Sequence, residues 1–347
     1  MSLNKAVLDI RERQRIKPSS NDYPAAVWRS TDHCDGKTVD TLTIIFKTSG
    51  CWWGKAGGCT MCGFVYDSAK IPPQPEELER QFDNAMQKGE KFESFMVKIF
   101  TSGSFLDENE VPAETRANIL SKLASDERIF KVLVESRPEF VTEETLKTCK
   151  EALGDTSFEV AIGLETSSDN IRKNSINKGF TFEDYIKASN LAKNNDVSMK
   201  AYLLLKPPFL SEKEALEDIV KTVDDVADHA QTISINLCNV QNGTYVEQLW
   251  QRSQYRTPWL WSIVEILKRT KQNHPDLVIT SDPVGAGSKR GPHNCKICSR
   301  DVSDAVHLFS RTQDLKVLEG LTCDCKQTWK KVLELDDFTY GSPILDR

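Results

Sequence analysis

The chain has 347 residues, with 45 basic against 51 acidic side chains and a formal charge of −6, so any nucleic-acid partner must be met by a local patch rather than a global basic field. Hydrophobic residues make up 39%, and no apolar run approaches the roughly 18 residues of a spanning helix, which excludes a membrane-embedded protein. Residues 4–17 are charged and lack the apolar segment and cleavage site of a secretory signal, so the expected compartment is the reducing cytoplasm.

From residue 40 onward, short β-branched runs alternate with longer helical stretches. Strands are expected at 41–47, 95–101, 131–135, 158–164, 198–205 and 233–240, with a short seventh at 277–280. Helices are expected over 75–88, 112–124, 142–152, 181–194, 212–230 and 257–272. The stretch 212–230 is the clearest: Leu216, Ile219, Val220, Val223, Val226 and Ala227 recur at three- and four-residue steps, behind Ser211 and Glu214 in capping-box spacing. Six consecutive βα units imply an α/β fold with a parallel sheet and right-handed crossovers. We read a partial (β/α)6 barrel rather than a closed eight-unit one. No GxGxxG follows the first strand, which argues against a dinucleotide-binding fold. A Gly/Pro loop at 282–292 marks a change of texture. The expected division is an N-terminal extension (1–39), the partial barrel (40–280) and a small cysteine-rich C-terminal subdomain (281–347).

The ten cysteines are too clustered for a disulfide framework, and clustering favours metal. Cys51, Cys59 and Cys62 lie in a loop with Gly50, Gly54, Gly57, Gly58 and Gly63, which suits backbone wrapped around a bulky inorganic core. A [4Fe–4S] cluster usually takes four thiolates, so three leave one iron open. S-adenosylmethionine (SAM) is what such an iron commonly holds for radical chemistry. The rival reading is structural zinc completed by His33 or Cys34.

The second group, Cys295, Cys298, Cys323 and Cys325, has the ligand type and pairing of a structural zinc site that staples the tail. A second iron–sulfur cluster or unliganded thiols are its rivals. Cys34, Cys149 and Cys238 read as small core hydrophobes.

Where the strands end, polar residues gather on the face that holds active sites in barrels. SAM needs a carboxylate or hydroxyls for its ammonium, a cation for its carboxylate, and acidic or amide partners for its ribose. Ser102, Gly103, Ser104, Glu135, Arg137, Glu165 and Lys206 offer these types, against the alternative that each belongs to an ordinary rim ion pair. Trp52 and Trp53 can shield the loop or stack on a base, whereas Trp259 and Trp261 read as packing.

These stretches carry a resemblance. Residues 27–343 resemble the archaeosine-biosynthesis radical SAM family (RaSEA type), a relative of the Elongator radical SAM domain. The matching runs are 50–54 with 58–63, 135–140, 162–166, 202–210 (ending Lys206-Pro207-Pro208-Phe209-Leu210) and 290–295 (Arg290-Gly291-Pro292-His293-Asn294-Cys295). The seven-residue gap between the first two cysteines, with Met61 just before the third, departs from the commonest superfamily signature and is similar to this family's own. The resemblance implies a tRNA-modifying carbon–nitrogen lyase that acts on a D-loop 7-deazaguanine carrying a lysine adduct and leaves archaeosine. It also implies a [4Fe–4S] cluster on Cys51, Cys59 and Cys62, SAM near the polar residues named above, and a metal on the four late cysteines. The implied partners are tRNA, the lysine-transferring archaeosine synthase and an electron donor. Other readings are a methylthio- or carboxymethyl-type tRNA-base modifier, and a zinc-stabilised RNA-binding or electron-carrier protein without chemistry of its own.

Overall fold

The β-branched runs of the chain join one eight-stranded sheet whose spatial order is the sequence order. In the computed structural model, which describes residues 2–14 and 19–335, the strands are β1 (Ala26–Cys34), β2 (Lys37–Ile45), β3 (Phe95–Phe100), β4 (Ile129–Ser136), β5 (Ser157–Glu165), β6 (Ser198–Leu205), β7 (Thr232–Leu237) and β8 (Val278–Thr280). The last part of the expected C-terminal subdomain, 336–347, and residues 1 and 15–18 of the expected extension lie outside the described residues. Strands β2 to β8 pair in parallel, and β1 pairs antiparallel with β2 through a tight hairpin. The six expected βα units are those of β2 to β7, and the short seventh strand is β8. The sheet curls into a half-barrel.

The helices are α1 (Leu3–Arg11), α2 (Trp52–Lys55), α3 (Pro75–Met86), α4 (Ala113–Ala124), α5 (Glu143–Leu153), the brief turn α6 (Asp169–Ile171), α7 (Phe182–Asn194), α8 (Glu212–Val226), α9 (Tyr245–Gln251), α10 (Leu260–Asn273), α11 (Ser299–Thr312) and α12 (Cys325–Leu335). Strand periodicity sends Leu42, Ile44, Val97, Ile99, Val132, Val134, Val160, Ile162, Leu203, Leu205, Ile233 and Ile235 into the core with the helices' apolar stripes. The Ser211–Glu214 capping box starts α8 as expected. The alternate residues line the concave face, where Met96, Leu133 and Ala161 form a small apolar patch with Phe100 and Tyr202.

Two elements stand where the sequence reading expected only an extension: β1, and α1, which is capped by Ser2. Helix α11 bridges the two edges of the sheet. At β8, Gln313 just beyond its end bonds both the N–H and the carbonyl of Ile279, and Ser310 does the same for Ser281. At the opposite edge, the Arg311 carbonyl accepts from Thr38 at 3.1 Å and lies 2.8 Å from His33 Nδ1. The tail thus spans the gap between strands at the end remote from the cysteine loop. Among the described residues no helix is long and apolar enough to cross a membrane.

Candidate active site

Strand β2 ends in a run of turns rather than a helix, because Gly50, Gly57 and Gly58 adopt positive φ that most side chains resist. The result is the cysteine loop at the carboxyl end of the parallel sheet. Cys51 caps the short α2, its sulfur accepting from Gly54 N–H at 3.4 Å. The loop is clamped from several sides. Arg11 of α1 donates to the carbonyls of Cys59 and Cys62 at 3.1 and 3.2 Å. Asn177 donates to the Gly58 carbonyl at 2.8 Å, and its own carbonyl accepts from Trp53 Nε1 at 2.7 Å. Thr60 Oγ1 bonds the Ser175 carbonyl, and Gln241 Oε1, beyond β7, accepts from Gly63 N–H.

Burial raises the thiols of Cys51 and Cys59, the latter to about 12, while the charges of Arg137 near Cys51 and Lys178 near Cys59 oppose the rise. Such thiols ionise when a metal takes them. His33 and Cys34, the candidates for a fourth ligand of a zinc site, lie at the remote end of β1: His33 meets the Arg311 carbonyl, and Cys34 is buried beside Lys131 and Asp35. Cys149 and Cys238 are core residues, as expected. Three thiols, with no fourth at the loop among the described residues, fit a cluster with one open iron.

Six of the seven polar candidates gather beside this loop in two groups, while Lys206 is held by partners elsewhere. Gly103 lies so close that a Cβ there would sit 2.7 Å from the Cys51 Cα and overlap a carboxylate oxygen of Glu110. Glu110 accepts from Ser104 N–H and Thr48 Oγ1, while Ser104 Oγ accepts from Arg137 N–H at 3.0 Å. Ser102 Oγ is buried and has no partner among the described residues, an orphan that a bound ligand can satisfy. Arg137 pairs with Glu139 at 2.6 Å, donates to the carbonyls of Lys178 and Gly179, and lies against the rings of Trp52 and Phe180. Trp52 remains half exposed at the rim.

Across the mouth, Glu165 pairs with Lys178 at 2.6 Å. The Glu135 carboxylate stands near both without a side-chain hydrogen bond to any described residue, and burial lifts it to about 7 against the pull of Lys178. Burial likewise lifts Glu110 to about 7. At the ends of β5 and β6 the chain turns through left-handed Glu165 (φ 70°) and Lys206 (φ 60°), a strained conformation that surrounding contacts must hold. Lys206 pairs with Glu212 at 2.9 Å, which ties it to the start of α8. Sequence reading missed Arg11, Glu110, Asn177 and Lys178. The only signal for Lys178 was its place two residues before Phe180, in a segment with no periodicity.

The second cysteine group forms as expected. The sulfurs of Cys295, Cys298, Cys323 and Cys325 all lie within 4.8 Å of one another, with neighbouring pairs at 3.5 to 3.6 Å. A disulfide would bring sulfurs to about 2 Å. Four thiolates around one tetrahedral ion with bonds of about 2.3 Å stand about 3.8 Å apart, so the set matches a single four-coordinate metal. Trp261 Nε1 donates to Cys325 Sγ at 3.3 Å and fixes that sulfur from behind. Cys295 falls to about 6 although burial opposes it, because the backbone N–H groups of Cys298 and Ile297 and the neighbouring thiols point at it.

The comparisons with known proteins agree with this geometry. Residues 45–229 match the radical SAM superfamily. The chain is 60% identical over its full length to the archaeosine synthase subunit beta of Methanosarcina acetivorans, covering all of that protein. It is 42% identical to the subunit of the same name from Thermococcus kodakarensis, over 88% of this chain and 96% of that one. The chain therefore belongs to the radical SAM superfamily and, within it, to the family of archaeosine synthase beta subunits. Among solved structures, the Elp3 protein of Methanocaldococcus infernus lacking its N-terminus shares the fold, with a TM-score of 0.50 and 17% identity over 70% of this chain and 59% of that one.

Proposed function

We propose that the protein is the tRNA-modifying lyase of archaeosine formation: it acts on a D-loop 7-deazaguanine that carries a lysine adduct, cleaves a C–N bond of that arm and leaves the archaeosine base. The observation that carries this reading is the three-thiol loop, with no fourth thiol beside it among the described residues, opening onto a group of charged side chains in a chain of this family. Cys51, Cys59 and Cys62 would hold the [4Fe–4S] cluster, and Ser102, Gly103, Ser104, Glu135, Arg137, Glu165 and Lys206 would serve SAM. When bound and supplied with one electron, SAM provides the 5′-deoxyadenosyl radical that abstracts hydrogen from an unactivated carbon.

The chain's own residues would position and exclude. The orphaned Ser102 hydroxyl and the tight Ser102-Gly103-Ser104 turn bring backbone close to the cysteine loop. Arg137 draws Trp52 and the 178–180 segment over the site and limits water. Lys178 and Glu165 present opposite charges at the mouth. The four late cysteines would hold zinc, which their spacing favours over a second cluster and hence over a methylthio-type reaction. The relatives' designation as a beta subunit supports a partner subunit, which would be the lysine-transferring enzyme. An electron donor completes the system.

The test is anaerobic reconstitution with iron and sulfide, reduction with dithionite, and incubation with SAM and tRNA bearing the lysine adduct. The expected result is 5′-deoxyadenosine together with archaeosine in the tRNA digest. An intact cluster that yields no 5′-deoxyadenosine removes the radical reading, and 5′-deoxyadenosine without archaeosine removes the assigned substrate.

A further inference from the structure

The loop that leads into the late cysteines and the turn between Cys295 and Cys298 form a surface that the chemistry at the mouth does not use. Residues 283–300 hold four cations, Lys289, Arg290, Lys296 and Arg300, and no acidic side chain, in a chain whose formal charge is −6. Gly285 (φ 73°) and Gly287 (φ 82°) fold this run on itself: Gly287 N–H donates to the Pro292 carbonyl at 2.9 Å, and a Cβ on Gly287 would stand 3.5 Å from that of Ser299. The turn carrying Lys289 therefore lies against the residue between Cys298 and Arg300. Arg290 is directed inwards, to the Val240 carbonyl, Asn242 and Glu247, whereas Lys289, Lys296 and Arg300 stay exposed. At the tip, Ile297 is 83% exposed, the most exposed of the large apolar side chains among the described residues, and Val284 at the start of the turn is also exposed.

The charges here are free to meet a partner. Lys289 and Lys296 make no ion pair with any described residue, and Arg300 meets Asp304 only at 3.8 Å with both side chains exposed, a pairing that water screens. Asp282 and Asp301 bound the run without entering it. A lone exposed isoleucine is ordinary on a surface. One at the apex of an anchored turn with three cations around it has the make-up of an RNA contact, in which cations hold phosphates and an aliphatic side chain rests on a ribose or a base. The anchoring also sets the place. Arg290 joins the run to Val240 and Asn242, and the residue between those two, Gln241, accepts from Gly63 N–H in the cysteine loop. Only the segment 240–242 thus separates the cationic run from the cysteine loop, so a polyanion that delivers one base to the mouth has its backbone within reach of this rim. Cys295 and Cys298 flank the tip, and the Trp261 backbone N–H donates to Asn294 Oδ1 just ahead of it, which holds the tip in position.

Resting on the reading of tRNA as substrate, we propose that the tip Lys296-Ile297, with Lys289 and Arg300, is the surface on which this chain docks tRNA, the cations on phosphates and Ile297 against a ribose or base. The measurement is the anisotropy of fluorescently labelled tRNA titrated with the reconstituted, metal-loaded protein over a series of KCl concentrations. The double change Lys296→Ala with Arg300→Ala is expected to raise Kd about tenfold and to lower the slope of log Kd against log salt by about 1 to 2. Ile297→Ser is expected to raise Kd about threefold or more at unchanged slope. Metal per chain is read alongside; Lys289→Ala, which lies outside the metal turn, is expected to lower the slope by about 1 and decides the matter should the tip variants lose metal. Lys187→Ala, which removes an exposed cation of α7 paired with Glu183, is expected to change neither quantity. Wild-type Kd and slope in the tip and Lys289 variants would overturn the proposal. Intact tRNA binding with loss of the partner subunit would overturn it too, since the surface would then be a protein interface. Failure of the lyase reading looks different: the wild-type enzyme forms no archaeosine from the lysine adduct, while the binding series still decides the surface.

Discussion

Burial without a partner sets the behaviour of Glu135. Its carboxyl rises to about 7 in the folded protein, against an unfolded value near 4.3, chiefly because burial disfavours the charge. Between these values the folded chain holds a proton that the unfolded chain has released, so stability falls as pH rises from about 4 to 7. Glu135→Gln is therefore expected to flatten that fall in the cluster-free protein and to be more stable than wild type at pH 8 by up to about 3 kcal/mol. Urea midpoints measured from pH 5 to 8 check this, and parallel pH profiles for the two proteins would contradict it. Gly103 offers the opposite kind of test, one of space rather than charge. A methyl group there meets Glu110 and the Cys51 backbone, so Gly103→Ala is expected to abolish cluster retention, read as iron per chain, while Gly154→Ala, which strains a left-handed backbone far from the loop but meets no neighbour, retains it. At this scale the sequence was legible where chemistry sits in a motif, as with Cys51, Cys59 and Cys62. It was opaque for Lys178 and Glu110, whose roles arise only when a π-helical turn and a loop after β3 fold back onto the cysteine loop.

Elements that hold the loop without touching the reaction come from distant parts of the chain. Helix α1 was invisible as a functional element because nothing in nine residues of mixed charge announces that Arg11 will meet the Cys59 and Cys62 carbonyls. Removing that clamp leaves two carbonyls of the loop without their cation and frees the loop to fray. Arg11→Met is expected to keep the far-UV signature of the fold while losing iron to a chelator about 10-fold faster, the scale on which supporting contacts tune metal sites. Unchanged iron loss would show that Asn177 and Gln241 suffice. Strand β1 escaped reading for a related reason. Its sequence carries Asp32 and His33 among its apolar residues, and their partners, Lys98, Lys200 and the Arg311 carbonyl, lie on other elements. The strands β2 to β8 needed no such knowledge, since their β-branched runs are buried against helices whatever the charges do.

On the scale of the whole molecule, the two cysteine groups divide chemistry from architecture. The early loop sits at the mouth, whereas the late four tie the start of α11 to the start of α12, and α11 in turn joins β8 to the β1–β2 hairpin. Metal at the late site therefore anchors the start of α11, whose far end makes the lateral closure of the half-barrel. Cys59→Ala is expected to lose the cluster, with little change in thermal midpoint for the cluster-free form. Cys323→Ala is expected to retain the capacity to bind iron at the loop but to lower folding yield and to drop the midpoint on the order of 5 °C or more, as a loss of about 2–3 kcal/mol would in a chain of this size. Iron per chain and calorimetric midpoints measured side by side decide the matter. Equal iron loss from the two changes would mean that the sites are energetically one, because the closure made by α11 would then be needed to shape the loop at the opposite end of the barrel.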